Sequence, residues 1–166
     1  LCNSNIKLNE IDLLTFIFGL LGHDIKHPGL TKSTKNIEYF HYVETNKILS
    51  QYQIKFNSKF LKQIILATDT SNYTFNKDFE SIAYLVKLAD INHSVSDLKN
   101  HLLWTDKLKN ELNVKFTPKE QILFLENYVF KILEKNKPNF NKTYFKQLEL
   151  NFKMNISFWK KKLPKR

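Results

Sequence analysis

The chain of 166 residues is long enough for one domain with a sizeable core, and 42% hydrophobic with 14% aromatic residues excludes a disordered polymer. The formal charge of +10 raises nucleic-acid binding, but Arg166 is the single arginine among 26 basic residues, and lysines are spread along the whole chain. Arginine is the residue favoured for base edges and bidentate phosphate contacts, so no nucleic-acid partner is expected, and the Lys160–Arg166 cluster reads as a solvated terminus.

One cysteine, Cys2, offers no disulfide framework, which points to a reducing compartment, and a cytoplasmic location is expected. The longest apolar run, Ile11–Leu21, is shorter than the roughly 18 residues of a membrane span and carries Asp12, so no membrane span is expected. There is no signal-peptide pattern. The sequence opens at Leu1 and its single methionine is Met154, so a fragment of a longer protein is expected.

Helical periodicity dominates from end to end, predicting helices at about 9–23, 36–53, 57–69, 77–91, 96–113, 118–135 and 141–161 and no strand pairs. The first of these delivers Gly22-His23-Asp24-Ile25-Lys26-His27-Pro28-Gly29, where Pro28 and Gly29 stop a helix. His23 and His27 are four apart and share a face, with Asp24 about 100° around the helix. An imidazole beside a carboxylate begins a site for a divalent cation, with His23 and Asp24 as ligands and His27 behind them. His23 alone would read as a helix-end histidine bonded to backbone. All three glycines, Gly19, Gly22 and Gly29, fall in this stretch and predict close backbone packing. Further along, Asn57-Ser58, Ser96-Asp97 and Thr117-Pro118-Lys119-Glu120 are helix starts, and Lys137-Pro138 is a stop. The helix reading apolar at Ile82, Leu85, Val86 and Ala89 carries a distal acid in Leu88-Ala89-Asp90.

H-D-I-K-H-P-G followed by L-A-D resembles the catalytic domain of the class I 3',5'-cyclic nucleotide phosphodiesterases, within the HD-domain metal phosphohydrolases. Ile37-Glu38-Tyr39-Phe40-His41, Ile65–Ser71, Val86–Asp90, Trp104-Thr105-Asp106 and Gln121-Ile122-Leu123-Phe124 are similar, in order, to further segments of that family, covering about residues 8 to 160. The resemblance implies an all-α multi-helix bundle of the HD phosphodiesterase type, lacking its N-terminal helices, with 1–166 as a partial catalytic domain. It implies two divalent ions, zinc plus magnesium or manganese, which hydrolyse cAMP or cGMP to the 5'-monophosphate in signalling. It assigns His23, Asp24 and Asp90 to the metals, with Asp24 able to bridge. His27, Glu38, Thr68 and His41 are assigned to the support of ligands and waters. Gln121 and Phe124 are assigned to the purine, through amide hydrogen bonds and ring stacking.

The chain departs from the family in four places, one of them Leu30–Ile37, which is short of about one helix compared with the family. It carries no H-N-x-x-H segment with the acid and the further metal histidine, so the missing N-terminal part of the same protein is the expected partner and the chain alone is expected to be a poor catalyst. Lys26 replaces the second aspartate of H-D-x-D-H, and His93-Ser94 replaces an asparagine-proline. A degenerate, non-catalytic nucleotide- or partner-binding domain, and an HD phosphohydrolase of another phosphate ester, are the alternatives.

Overall fold

The computed structural model of the chain describes residues 5–26, 36–71 and 74–164. Among these residues there is no strand, and the architecture is all-α. The helices are α1 (Glu10–Gly22), α2 (Ile37–Gln51), α3 (Ser58–Ala67), α4 (Glu80–Asp90), α5 (Leu98–Leu112), α6 (Pro118–Phe124), α7 (Phe130–Asn136) and α8 (Lys142–Lys161). A π-helical stretch, Leu125–Val129, joins α6 to α7, so what the periodicity predicts as one helix at 118–135 is a helix with a wide turn inside it. The other predicted spans match to within three residues.

The helix starts obey local chemistry. Asn9 Oδ1 accepts from the Asp12 amide at 2.9 Å, and Asn57 Oδ1 from the Phe60 amide at 3.1 Å. At α5 the cap is Asp97 rather than Ser96, accepting from the Asn100 amide at 3.0 Å. Thr117 and Glu120 form a reciprocal capping box at α6 with Pro118 in its first turn. No helix among the described residues is long and apolar enough to cross a membrane.

The chain divides into two compact units, one spanning Ile6–Asp90 and the other built on Ile91–Arg166. In the first, α3 packs against α1, α2 and α4, because Leu61, Ile64, Ile65 and Ala67 have no exposed surface. Burying side chains of this size contributes roughly 1.5–3 kcal/mol each. Leu49 of α2 joins Leu61 and Ile65, with Phe18, Tyr42, Ile54 and Phe56 closing around them. α1 comes close enough to its neighbours to require glycine. A Cβ on Gly19 would stand 2.6 Å from the Ile64 side chain, and one on Gly22 2.3 Å from Thr45 Oγ1.

In the second unit, α6 and α8 pack together, and α8 also packs against α5 and the short 3-10 turn Asn92–Val95. Asn155 of α8, fully buried, donates to the carbonyls of Ser94 (3.1 Å) and Ser96 (3.0 Å) and so anchors that turn.

Candidate functional site

The chemistry-bearing residues of the first unit gather where α1 gives out. α1 ends at Gly22, ahead of Pro28 and Gly29, and residues 23–26 form a turn. His23 is still in right-handed helical geometry (φ −63°, ψ −23°), whereas Lys26 is left-handed (φ 55°), which no regular helix continues through. Thr45 of α2 pins the helix end by donating its hydroxyl to the Gly22 carbonyl at 3.1 Å. Because the chain turns here, Asp24 does not point away around a helix as the spacing predicts. Its Oδ2 lies 3.2 Å from His23 Nε2.

Asp90, the last residue of α4, reaches the same atom, its Oδ1 3.2 Å from His23 Nε2. The other ring nitrogen, Nδ1, stands 2.7 Å from the Leu20 carbonyl. A carbonyl only accepts, so Nδ1 carries a proton, and Nε2 is the position that meets both carboxylates. Three atoms rich in electron density therefore face one another, and a positive charge is required among them. In the protein alone this is a second proton on the ring. Hydrogen bonds accepted by Asp24 and Asp90 push the His23 pKa up to about 10, against the opposing effect of burial.

An imidazole nitrogen and two carboxylates are also the donor types that a divalent cation takes. Ligand atoms about 2.0–2.2 Å from one ion stand roughly 3 Å apart, close to the two 3.2 Å separations at His23. Taken three or more at a time, however, the described histidine, cysteine and acidic side chains form no group set to hold a metal ion. The arrangement is pairwise, His23 with each carboxylate. The Asp24 side chain, 66% exposed, is the one with room to swing toward a shared ion.

The residues expected to support these ligands, His27 apart, lie on α2 and at the end of α3. Glu38 is half-buried in the first turn of α2, on the side where its charge acts on Lys87. His41, also on α2, is buried, with its ring edge-on to Phe40 at 6.0 Å. Thr68 caps α3 and donates its hydroxyl to the Ile65 carbonyl at 2.8 Å, a bond that holds the helix end. His27 lies outside the described residues. Lys26 is turned onto α2, where it pairs with Glu44 and holds that carboxyl below the usual carboxylate range. The lysine charge two residues from Asp24 is thereby drawn toward an acid of its own.

Lys87 is the residue that motif reasoning passed over. It is fully buried on α4, donates to the Asp69 carbonyl, and sits over the Phe75 ring at 5.7 Å. Burial lowers its pKa, opposed by the charges of Asp69, Asp90 and Glu38. The signal was present in the sequence as a lone lysine in Ala83–Leu88, three residues ahead of Asp90 and so on its face.

Gln121 and Phe124 belong to the second unit. Gln121 is buried in α6, and Phe124 is half-buried with its ring stacked on Tyr128, the centroids 5.5 Å apart and the planes 22° from parallel. Trp104 is half-exposed on α5 with the Lys107 ammonium 4.4 Å from its ring centroid, a surface contact and not a core one.

No protein-family model, curated protein or solved structure gives a significant match to the chain.

Proposed function

We propose that the chain is a metal-dependent phosphodiesterase domain acting on 3',5'-cyclic nucleotides, with the divalent-cation site built on His23, Asp24 and Asp90. The observation that carries this reading is the meeting of two carboxylates from different elements, 3.2 Å each, on one imidazole nitrogen whose partner nitrogen is tied to a backbone carbonyl. Tying Nδ1 is how proteins aim the other nitrogen at a cation. A bound divalent ion there supplies Lewis acidity toward a phosphoryl oxygen and lowers the pKa of water.

The chain's own residues do the rest. Asp24 and Asp90 supply the negative charge that favours a dication, and the Gly22–Thr45 contact fixes the turn that aims His23. The resemblance assigns the purine to Gln121 and Phe124. One observation favours a second reading, a purely structural charge cluster: with its pKa at about 10, the His23 proton already satisfies both carboxylates at neutral pH.

Turnover separates the two. Chelator-stripped protein is supplied with zinc and with magnesium or manganese, and release of 5'-monophosphate from cAMP and cGMP is followed. His23→Ala and Asp90→Asn should each lower metal-dependent turnover by about 100-fold or more, since even groups that only support a ligand are worth 10- to 100-fold. Turnover that is metal-independent, or equal in wild type and variants, refutes the phosphodiesterase reading.

A further inference from the structure

The net charge of the chain is not shared evenly between its two units. Ile91–Arg166 holds 16 of the 26 basic residues and 7 of the 16 acidic ones, a net +9, whereas Ile6–Asp90 holds 10 and 9, a net +1. We propose that the outward face of α8 docks on a lipid bilayer rich in anionic headgroups, holding the second unit at the membrane surface without crossing it.

The packing of α8 decides which residues this face presents. Phe145, Leu148, Phe152 and Asn155 are buried and so mark the inward side of the helix. At about 100° per residue, Lys146, Leu150, Lys153, Met154 and Lys161 all fall within about 60° of the opposite side. All five are exposed, Leu150 by 52% and Met154 by 47%. Glu149, the single acid of α8, is half-buried on the flank, about 100° around the helix from Leu150. Lys160 lies toward the same flank and pairs with Glu126 at 2.9 Å, so it is not counted with the face.

The form of this face selects a bilayer over other anionic partners. Its lysines stand about 10 Å apart along a helix exterior about 22 Å long, too far for one phosphate group to bridge two of them. Pockets for small ligands are concave, and the outside of a helix is not, but it can lie against a plane of charge. Leu150 and Met154 stand among the lysines, and a nucleic-acid backbone gives them nothing to bury against. At a bilayer they reach the acyl boundary, while the lysine stems lie along it and the ammonium groups stay with the headgroups. Lysine is a compact point charge without arginine's fork, which suits a field of mobile headgroups better than a fixed phosphate.

Flotation of the full chain with vesicles tests this. Phosphatidylcholine vesicles with about a third phosphatidylserine should bind the chain, pure phosphatidylcholine should not, and added salt should weaken the binding. A lysine near such a surface is worth about fivefold, so Lys146→Gln, Lys153→Gln and Lys161→Gln together should weaken binding by about 100-fold. Lys99→Gln, Lys107→Gln and Lys115→Gln remove equal charge from exposed positions of the same unit off α8, and should cost about tenfold or less. Leu150→Ser with Met154→Ser should weaken binding by about tenfold or more. No binding to the anionic vesicles, equal binding to neutral ones, or equal losses from the two lysine sets overturns the proposal. So does a serine pair that binds as wild type does, and duplex DNA bound in place of vesicles would assign the face to nucleic acid and overturn it as well. Binding is read without metal or nucleotide, so neither outcome bears on the phosphodiesterase reading.

Discussion

Acidification should destabilise the protein through His101, at a pH set by that residue's surroundings. His101 lies on α5, 1% exposed, and its Nε2 accepts the Trp159 indole N–H at 2.9 Å. A ring nitrogen that accepts is unprotonated, so the native ring is neutral. Protonating it would set two N–H donors against each other inside the core. The His93 ring, stacked parallel at 6.3 Å, adds a second imidazole whose charge would oppose that of His101. Burial, followed by His93, pushes the His101 pKa down to about 4, from 6.5 in the unfolded chain.

The sign follows from proton counting. Between pH 6.5 and 4 the unfolded chain holds a proton on this ring that the native protein does not, so stability falls as pH falls. The contribution is fully present above 6.5 and is lost by pH 4, a span worth roughly 3 kcal/mol at about 1.4 kcal/mol per tenfold change in proton affinity. Asp97 and Glu120, whose helix-cap hydrogen bonds lower their pKa values, also lose stabilising charge in acid. His101→Gln is therefore the reference: it offers an amide oxygen to Trp159 and does not titrate. Urea unfolding followed by Trp159 emission, in a Trp104→Phe background, should show wild type losing about 3 kcal/mol more than His101→Gln between pH 7 and 4. Parallel pH profiles, or a His101 ring resonance titrating near 6.5 in the folded protein, would refute this.

Two further expectations concern packing and capping. Gly22→Ala places a methyl 2.3 Å from Thr45 Oγ1, whose rotamer is held by its bond to the Gly22 carbonyl, so about 1–3 kcal/mol of overpacking is expected in chemical denaturation. Thr45→Ala in the same chain should recover part of that loss, and additive losses would show that the two positions do not press on each other. At α6, Glu120→Ala removes acceptors from the Thr117 amide and hydroxyl, both at 2.8 Å, and should cost about 1 kcal/mol; a midpoint unchanged in urea would mean that the capping box contributes nothing.

The all-α class and most helix bounds were legible from the period, and α1, α3, α5, α6 and α8 each also start at an asparagine, aspartate or threonine cap. The wide turn at Leu125–Val129 was not legible, since no glycine or proline marks it and the apolar spacing runs through it unbroken. At the site, His23, Asp24 and Asp90 were legible as residue types in a motif, whereas the way they meet was not. Periodicity turns Asp24 away from His23, and only the end of α1 at Gly22 with the left-handed Lys26 brings the two together. Lys87 was hidden for a different reason. A lysine is expected at the surface, and two of the groups that meet this one, Glu38 on α2 and Asp69 beyond the end of α3, are distant in sequence.

His23 and His101 show why residue type alone does not mark a ligand. Both are largely enclosed, both have one nitrogen engaged at hydrogen-bond distance by a fixed group, and their pKa values part by several units in opposite directions. At His101 the engaged nitrogen is the one that faces an indole N–H, so its lone pair is already spent on a donor and a cation would gain nothing there. At His23 the engaged nitrogen donates its N–H to a carbonyl, which leaves the other nitrogen among carboxylates. Such a nitrogen holds a proton tightly, and it is the nitrogen to which the proposed function assigns a divalent ion. On that proposal the proton and the metal compete for one place, and manganese affinity measured by calorimetry should rise with pH for as long as the ring must give up its proton to bind; an affinity flat with pH would refute His23 as a ligand.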